Sequence, residues 1–374
     1  YDYDRAYMAW KKTLTDFQWD EYVAPFTYSA LVFDHLDYRQ LRWPGRGVNA
    51  TSPYQFIEPG QRFDGKAVYE PMQAEDYDWF LDDPSDYMIR VHFPKLAGVL
   101  APLGKLPPVH GVISWYQGMF EMLSAMGDPE VLAAFEALSR AAAEARKWFN
   151  SFLGFVGEMK DMGFPTFVLA VSHAPYDFLA NFLRGTRGAM VDMYRSPDKL
   201  LKACEKITPW MVQAGVDGAR ATGLPVAAIF LHKGFEGMMS HEQFRTFYWP
   251  TLKKVLMGLI DEGVTPYVYT EGNYTARLET IRDVPRGKVV YHIEKDLFKA
   301  KEVLGNVACL TGGPPNSLLI SGSTDDVKDY CRKLVDIVGK DGGFILDAEV
   351  PLIDENPQNV KVMTDFVMEY GVYR

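Results

Sequence analysis

The stretch PVAAIFLHKGFEGMMSHEQFRTFYWPTLKKVLMGLIDEGVTPYVYT, residues 225–270, contains one complete strand–helix–strand unit. It begins and ends with apolar, β-prone runs, residues 225–232 and 264–270, whose length and composition are typical of buried strands. Between the two runs, Ser240 and Gln243 have the spacing of a capping box, which predicts that a helix begins there. Two strands joined through a helix indicate a parallel sheet.

The same alternation of strand and helix continues on both sides of this unit. Further short apolar runs that predict strands are TFVLAVS (166–172), KVVYHI (288–293), NVACLTG (306–312), GFILDAE (343–349), PFTYSALVF (25–33) and PVHGVISW (108–115). Helices are expected between the later runs, because Ser196-Pro197 and the pair Ser323 and Asp326 are helix-start signals. Eight strands of this kind predict an α/β fold, specifically a (β/α)8 TIM barrel with an N-terminal elaboration.

We expect the chain to form one barrel domain over residues 1–374. Residues 1–160 would supply the elaboration and the first strands, including a long helix from Asp128 to Phe155, and residues 160–374 would supply the main βα units. The main alternative is an open, doubly wound sheet. It is disfavoured because no Gly-x-Gly-x-x-Gly sequence follows any predicted strand.

The composition of the chain disfavours several classes of partner and of site. The formal net charge is −10 and no run of lysine or arginine is present, which disfavours nucleic acid and anionic membranes as partners. No apolar stretch approaches the roughly 20 residues that cross a bilayer, and the first residues lack a secretory signal pattern, so a cytoplasmic enzyme is expected. Three scattered cysteines disfavour a disulfide framework and a CxxC zinc site.

The candidate site lies where the predicted strands end, because barrel enzymes place their chemistry at the carboxyl ends of the strands. Polar or glycine residues at these ends are His173, His232, Glu271, Asn273, His292, Glu294, Thr311, Gly312, Gly313, Asp347 and Glu349. Each also has a structural explanation. Glu271 could be a solvated carboxylate before a turn formed by Asn273, His292 could simply pair with Glu294, and the glycines could form a tight turn.

Two long stretches resemble the uroporphyrinogen decarboxylase superfamily. They are NVACLTGGPPNSLL (306–319) and STDDVKDYCRKLVDIVGKDGGFILDAEVPLIDENPQNVKVM (323–363), which are similar to the family's glycine-proline loop, capped helix, last strand and final helix start. The resemblance covers roughly residues 160–374. It implies a (β/α)8 barrel and either a decarboxylase or a zinc-dependent methyltransferase that works with corrinoid proteins. The decarboxylases' arginine-rich N-terminal stretch has only a loose counterpart in RQLRWPGRG (39–47).

The resemblance also implies a set of metal ligands. Thiol-directed methyltransferases of the superfamily bind zinc through a His-x-Cys-Gly-Asn stretch and a later cysteine. Here Tyr269–Asn273 takes the place of the first motif and Glu349 falls near the second. O-demethylases of aromatic ethers have the pattern Glu, fourteen residues, Glu, twenty residues, His. Glu271 and His292 match its second half, but Leu256 stands where the first glutamate is expected.

The implied zinc ligands are therefore Glu271, His292 and Glu349, with Asp347 or His232 as alternatives for the third. Carboxylate and imidazole suit a zinc ion that acts on an ether oxygen, whereas thiol activation favours cysteine ligands. Zinc would stabilise the charge on the departing oxygen while cobalt(I) of a corrinoid attacks the methyl carbon.

The resemblance thus implies a methyltransferase that takes a methyl group from an O-methylated, aromatic small molecule and passes it to a corrinoid (cobalamin) protein. Within it, Glu271, His292 and His232 would be catalytic, with His232 as a proton donor. The substrate contacts would be His173, Tyr269, Asn273 and Thr311. Two other hypotheses stay open, namely a metal-free decarboxylase or lyase and a non-catalytic member that binds a small molecule or cobamide. A homodimer also stays open.

Overall fold

The computed structural model describes residues 1–22, 28–42, 55–63, 65–112, 116–166, 168–348 and 354–372. The chain divides into two compact units. The first comprises Tyr1–Tyr7, Pro25–Glu158 and Phe178–Ala203, and the second comprises Met8–Ala24, Met159–Asp177 and Cys204–Arg374. The expected single domain over residues 1–374 stays a prediction.

Helices make up most of both units. In chain order they are α1 (Tyr3–Phe17), α2 (Ala30–Leu36), α3 (Tyr77–Asp82), α4 (Pro84–Tyr87), α5 (Phe93–Leu96), α6 (Gln117–Met126), α7 (Pro129–Asp161), α8 (Pro175–Phe178), α9 (Thr186–Arg195), α10 (Pro197–Thr222), α11 (His241–Gln243), α12 (Trp249–Asp261), α13 (Leu278–Ile281), α14 (Leu297–Leu304), α15 (Asn316–Ser321), α16 (Thr324–Lys333) and α17 (Pro357–Tyr370). Shorter 3-10 or π segments cover Met88–His92, Gly98–Lys105, Val109–Gly111, Leu179–Arg184, Phe244–Tyr248, Thr275–Arg277 and Leu334–Val338. No helix in the described ranges is both long enough and apolar enough to span a membrane.

In the residues described for the first unit, all strands are short. They pair as two antiparallel ribbons, β1 (Leu41–Arg42) with β2 (Gln55–Phe56) and β3 (Arg62–Phe63) with β4 (Lys66–Ala67). Its apolar core includes Leu100, Leu103 and Val131, which pack together between the 3-10 segment and the start of α7. This unit is therefore held mainly by helix packing.

The second unit is built on a six-stranded parallel sheet. Its strands are β5 (Ala170–Ser172), β6 (Val226–Leu231), β7 (Thr265–Thr270), β8 (Val290–Ile293), β9 (Cys309–Gly312) and β10 (Phe344–Leu346). They lie in sequence order from β5 to β10, each joined to the next by parallel pairing. Sequential parallel strands connected by helices confirm the predicted α/β class and the six later strands.

Packing separates the two faces of this sheet. Ser172 donates a hydrogen bond to the carbonyl oxygen of Met211 in α10, and Gly215 of the same helix lies against Ser172 and Ala227. These side chains mark the helix-covered face. Because side chains alternate along a strand, Phe230 and His232 belong to the opposite face.

The two early predicted strands are wrong in the described residues. The end of PFTYSALVF, from Ala30 onward, lies in helix α2 (Ala30–Leu36), because Ser29 caps this helix by accepting a hydrogen bond from the backbone N–H of Val32. In PVHGVISW, Val109–Gly111 is a 3-10 turn. Short apolar runs cannot distinguish a buried strand from a buried helix, and here the capping side chain decides. Residues 25–27 and 113–115 lie outside the described ranges.

The predicted helix starts are confirmed. Ser240 with Gln243 and Ser323 with Asp326 both form reciprocal capping boxes. Asp128 accepts hydrogen bonds at the start of α7, which runs beyond the predicted end at Phe155 to Asp161.

Candidate active site

A row of side chains crosses the face of the sheet opposite α10. Strand register aligns Phe230, Tyr269, His292 and Thr311 on β6 to β9. The ring of Tyr269 stacks on the ring of His292 with centroids 3.9 Å apart and planes 9° apart, and the ring of Phe230 lies 5.7 Å from that of Tyr269. The imidazole of His292 is therefore held between neighbours on both adjacent strands.

His292 is fixed further through one ring nitrogen. Its Nδ1 lies 3.0 Å from Oδ2 of Asp347 and 2.9 Å from Oγ1 of Thr311. The hydroxyl of Tyr267 donates to the same carboxylate oxygen over 3.2 Å. Burial would raise the pKa of Asp347, but the hydrogen bond and the charge interaction with His292 outweigh burial and lower it. The structural alternative, in which His292 pairs with Glu294, is therefore wrong, because Nδ1 pairs with Asp347 and Thr311.

The other ring nitrogen of His292 has different surroundings. His292 is completely buried, and its Nε2 has no hydrogen-bond partner among the described residues. Burying a polar nitrogen without a partner costs free energy, so native structures rarely leave one. Such an atom is suited to a ligand that approaches on that side.

A second row lies one step nearer the carboxyl ends of the strands. By alternation it contains His232, Glu271 and Glu294, two residues beyond the members of the first row. Nε2 of His232 lies 3.6 Å from Oε1 of Glu271. The carboxylate of Glu294 accepts a hydrogen bond of 2.7 Å from the backbone N–H of Gly272. Glu294 therefore lies beside Glu271 in the second row, whereas His292 belongs to the first row, two residues earlier along β8.

The electrostatics of this second row are unusual. Burial, helped by the nearby carboxylates of Glu294 and Asp177, raises the pKa of Glu271 to about 7 against the opposing charge of Lys233. A carboxyl group that titrates near neutral pH can exchange a proton with a substrate or give it up to a cation.

Asp177 lies behind the second row and is completely buried. Its carboxylate accepts hydrogen bonds from the backbone N–H of His232 (2.8 Å), the backbone N–H of Lys233 (3.1 Å) and the hydroxyl of Tyr248 (2.6 Å). Burial raises its pKa to about 7 although these three bonds lower it. Sequence analysis missed Asp177, because it follows a strand at a helix start far from its partners in the chain.

The segment after α1 contains another carboxyl group with a raised pKa, that of Glu21. Burial, together with the charges of Asp347 and Asp20, raises the pKa of Glu21 to about 7. The next residue, Tyr22, donates its backbone N–H to the carbonyl oxygen of Pro165 just before β5. No local sequence signal connects Glu21 with a strand end.

The glycines after β9 make close backbone contacts. A Cβ atom on Gly313 would lie 1.7 Å from the carbonyl oxygen of Asp347, and one on Gly312 would lie 2.8 Å from that of Ile293. Gly312 and Gly313 therefore bring the ends of β8, β9 and β10 together. This agrees with the structural explanation for the glycines.

The remaining predicted substrate residues are dispersed. His173 follows β5 and is partly buried, and burial lowers its pKa to about 4. Tyr269 and Thr311 are buried in the first row. Asn273 is exposed, and its side-chain oxygen accepts from the backbone N–H of Thr275, which is the turn-forming alternative. Their contacts with substrate stay predictions.

The described residues supply part of a set of metal ligands. His292 has the arrangement common in metal-binding histidines, with one nitrogen hydrogen-bonded to a carboxylate and the other without a partner in the described part of the chain. Glu271 supplies a carboxylate in the adjacent row. Glu349 lies outside the described ranges, and within those ranges no three His, Cys, Asp or Glu side chains form a group that could hold a metal ion.

Parallel βα units with polar side chains at the strand ends define the class of α/β proteins that carry their sites on that edge. A family model described as Uroporphyrinogen decarboxylase (URO-D) matches residues 131–370. The chain belongs to this family, whose fold is a TIM barrel. The resemblance found in the sequence and the predicted fold class are thereby confirmed.

Among solved structures, a methyltransferase from Methanosarcina mazei matches 60% of this chain and 65% of its own chain. The identity is 18% and the TM-score is 0.48. The chain thus spans less than two thirds of that methyltransferase. A search of curated proteins finds no match.

Proposed function

We propose that the chain is the methyltransferase component of an O-demethylase, which moves a methyl group from an O-methylated aromatic compound to a corrinoid protein. The observation that carries the proposal is the environment of His292. Its Nδ1 is hydrogen-bonded to Asp347, and its buried Nε2 has no partner among the described residues. Glu271 lies one row away, at the edge where barrel enzymes bind their substrates.

Zinc is the metal that these donors would suit. His292 through Nε2, Glu271 and Glu349 would hold it, which gives the nitrogen and oxygen ligands common at catalytic zinc sites. When bound, zinc supplies a positive charge that stabilises negative charge on an ether oxygen. Asp347 would keep His292 in the tautomer that leaves Nε2 unprotonated.

The chain's own residues would handle the proton. In demethylation the bond between the methyl carbon and the ether oxygen breaks, both electrons stay on the oxygen, and the partner's corrinoid receives the methyl group. The oxygen takes up one proton as this bond breaks. We assign the donor to His232, which lies at the strand edge 3.6 Å from Glu271, because a proton delivered to the oxygen makes it a better leaving group. His173, Tyr269, Asn273 and Thr311 would contact the donor.

The direct test is a methyl-transfer assay. The purified chain, loaded with zinc, is mixed with methoxylated aromatic compounds and cob(I)alamin, and methylcobalamin absorbance is followed. The proposal expects a signal with at least one donor and none with the matching hydroxylated compound. Absence of signal with every donor, from a folded and zinc-loaded chain, would refute it.

A second candidate is a metal-free lyase or decarboxylase of the same family. The observation that favours it is the pKa of Glu271, raised to about 7 by burial and neighbouring carboxylates, beside His232. Such a pair could act as acid and base near neutral pH. Zinc content separates the two candidates, because only the methyltransferase needs the metal.

A further inference from the structure

The loop that follows β6 carries His232, and a buried side chain, Asp177, binds its backbone. Asp177 accepts hydrogen bonds from two consecutive backbone N–H groups, those of His232 and Lys233. It is the first turn of helix α8 that supplies this carboxylate. The position of the His232 backbone is therefore set by a side chain from a different strand–helix connection.

Two tyrosines, Tyr248 and Tyr274, pack against the backbone of this loop. The hydroxyl of Tyr248 donates to Asp177 over 2.6 Å, and Tyr248 and Tyr274 are also hydrogen-bonded to each other. A Cβ atom on Gly234 would lie 2.7 Å from the hydroxyl of Tyr274 and 2.9 Å from the ring of Tyr248. The loop backbone thus rests directly on both rings, and any larger residue at Gly234 would lift it.

The same loop is joined to the loop that carries Glu271. The backbone N–H of Glu236 donates to the carbonyl oxygen of Asn273, and the carboxylate of Glu236 accepts from the backbone N–H of Ala276. Phe235 packs on Gly272. The loop that carries His232 and the loop that carries Glu271 are therefore hydrogen-bonded to each other.

We infer that Asp177 is a positioning residue, which holds His232 opposite Glu271 through the two backbone N–H groups that it accepts. A buried polar group is costly unless its hydrogen bonds are satisfied, so the Asp177 carboxyl group and its three donors hold one another in place. Fixing a catalytic group in this way is how a second layer of residues preorganises a site.

The test compares Asp177→Asn and Asp177→Leu with a matched control. Asparagine keeps the shape but has one acceptor oxygen, so at least one of the three donors loses its partner. Leucine removes all three bonds and leaves the three donors without their acceptor, so it is the more disruptive of the two variants. The control is Asp192→Asn, because Asp192 is also buried and accepts from a tyrosine hydroxyl, that of Tyr77, but lies in the other unit.

Two readouts need no substrate. In Asp177→Leu, hydrogen exchange of the His232 and Lys233 amides should accelerate about tenfold or more while the amide of Ile229 in β6 keeps its rate, and in Asp177→Asn at least one of the two amides should exchange faster. The imidazole NMR signal of His232, assigned with His232→Gln, should shift. Asp192→Asn should change neither. Unchanged exchange and an unshifted signal in the Asp177 variants, or equal changes in the control, would overturn the inference.

The kinetic readout rests on the proposed function. In methyl transfer, Asp177→Asn should lower kcat about tenfold or more and leave the KM of the methyl donor within about twofold, because the proton donor moves while the pocket stays. A change in KM alone would contradict a positioning role. If the unaltered chain transfers no methyl group, the proposed function fails, whereas the exchange and NMR results still decide the inference.

Discussion

Nδ1 of His292 lies 3.0 Å from Oδ2 of Asp347, and both groups are covered by the side chains of Thr311 and Tyr267. A carboxylate in this position fixes the tautomer of a histidine and makes its other nitrogen a better ligand. Asp347 therefore supports whatever binds Nε2 of His292.

Replacing Asp347 with asparagine should weaken zinc binding about 10- to 100-fold, the usual effect of removing a carboxylate that supports a metal-binding histidine. Affinity is measured by competition with a chromophoric chelator. The matched control is Asp83→Asn, because Asp83 also lies near a histidine, exposed His110, at 3.2 Å. Equal affinity for zinc in the Asp347 variant and the unaltered chain would show that His292 does not bind the metal.

Replacing Glu271 with glutamine should abolish function without harming the fold. Methyl transfer should fall about 100-fold, since the variant loses a charged ligand. The melting temperature should stay the same or rise, because the side chain is 44% exposed and the change removes its repulsion with Glu294 and Asp177. Glu279→Gln, whose side chain is 75% exposed, is the control. A lower melting temperature for Glu271→Gln would instead indicate a structural role.

Replacing Gly313 with alanine should destabilise the second unit. The added Cβ would lie 1.7 Å from the carbonyl oxygen of Asp347, so the backbone must shift, at a cost of about 1–3 kcal/mol or more in the free energy of unfolding. Gly154→Ala in helix α7 is the control, because its Cβ would meet no atom within 4 Å and alanine favours helix. Urea denaturation measures both. Equal stability of the two variants would refute the close contact.

Asp177 should make stability depend on pH. Burial raises its pKa from 3.8 to about 7 in the folded chain, so between these values the folded chain keeps a proton that the unfolded chain has lost. This carboxyl therefore contributes a fall in the free energy of unfolding as the pH rises from about 4 to 7, and no further change above 7.

Asp177→Asn lacks this titration. The stability advantage of the unaltered chain over this variant should shrink as the pH rises from about 4 to 7, by an amount on the order of 4 kcal/mol. Denaturation curves of both proteins at several pH values give the difference. An advantage that is constant, or that grows with pH, would mean that Asp177 is ionised throughout this range.

The sequence predicts the second unit better than the first. In the second unit, helix caps such as Ser240 with Gln243 are local, and buried parallel strands appear as short apolar runs, so both signals can be recognised without neighbours. In the first unit, the apolar run PFTYSALVF (25–33) also looks like a buried strand, but the cap at Ser29 starts helix α2 within it.

Some residues of the candidate site could likewise be predicted from the sequence, and others could not. The rule that polar residues gather at strand ends found His232, Glu271 and His292. Counting alternate residues along neighbouring strands would also have placed Glu294, not His292, level with Glu271. Asp177 and Glu21 could not be found this way, because each acts on a residue far away in the chain and only the folded sheet brings them together.

The most direct test of the central claim, that Glu271 and His292 hold a zinc ion, is the zinc content of the purified chain measured by inductively coupled plasma mass spectrometry. The chain is exposed to zinc and then desalted, beside Glu271→Gln, His292→Gln and the Glu279→Gln control. We predict about one zinc per chain in the unaltered protein and the control, and little or none in the two site variants. An unaltered chain without zinc, or folded site variants that keep it in full, would contradict the claim.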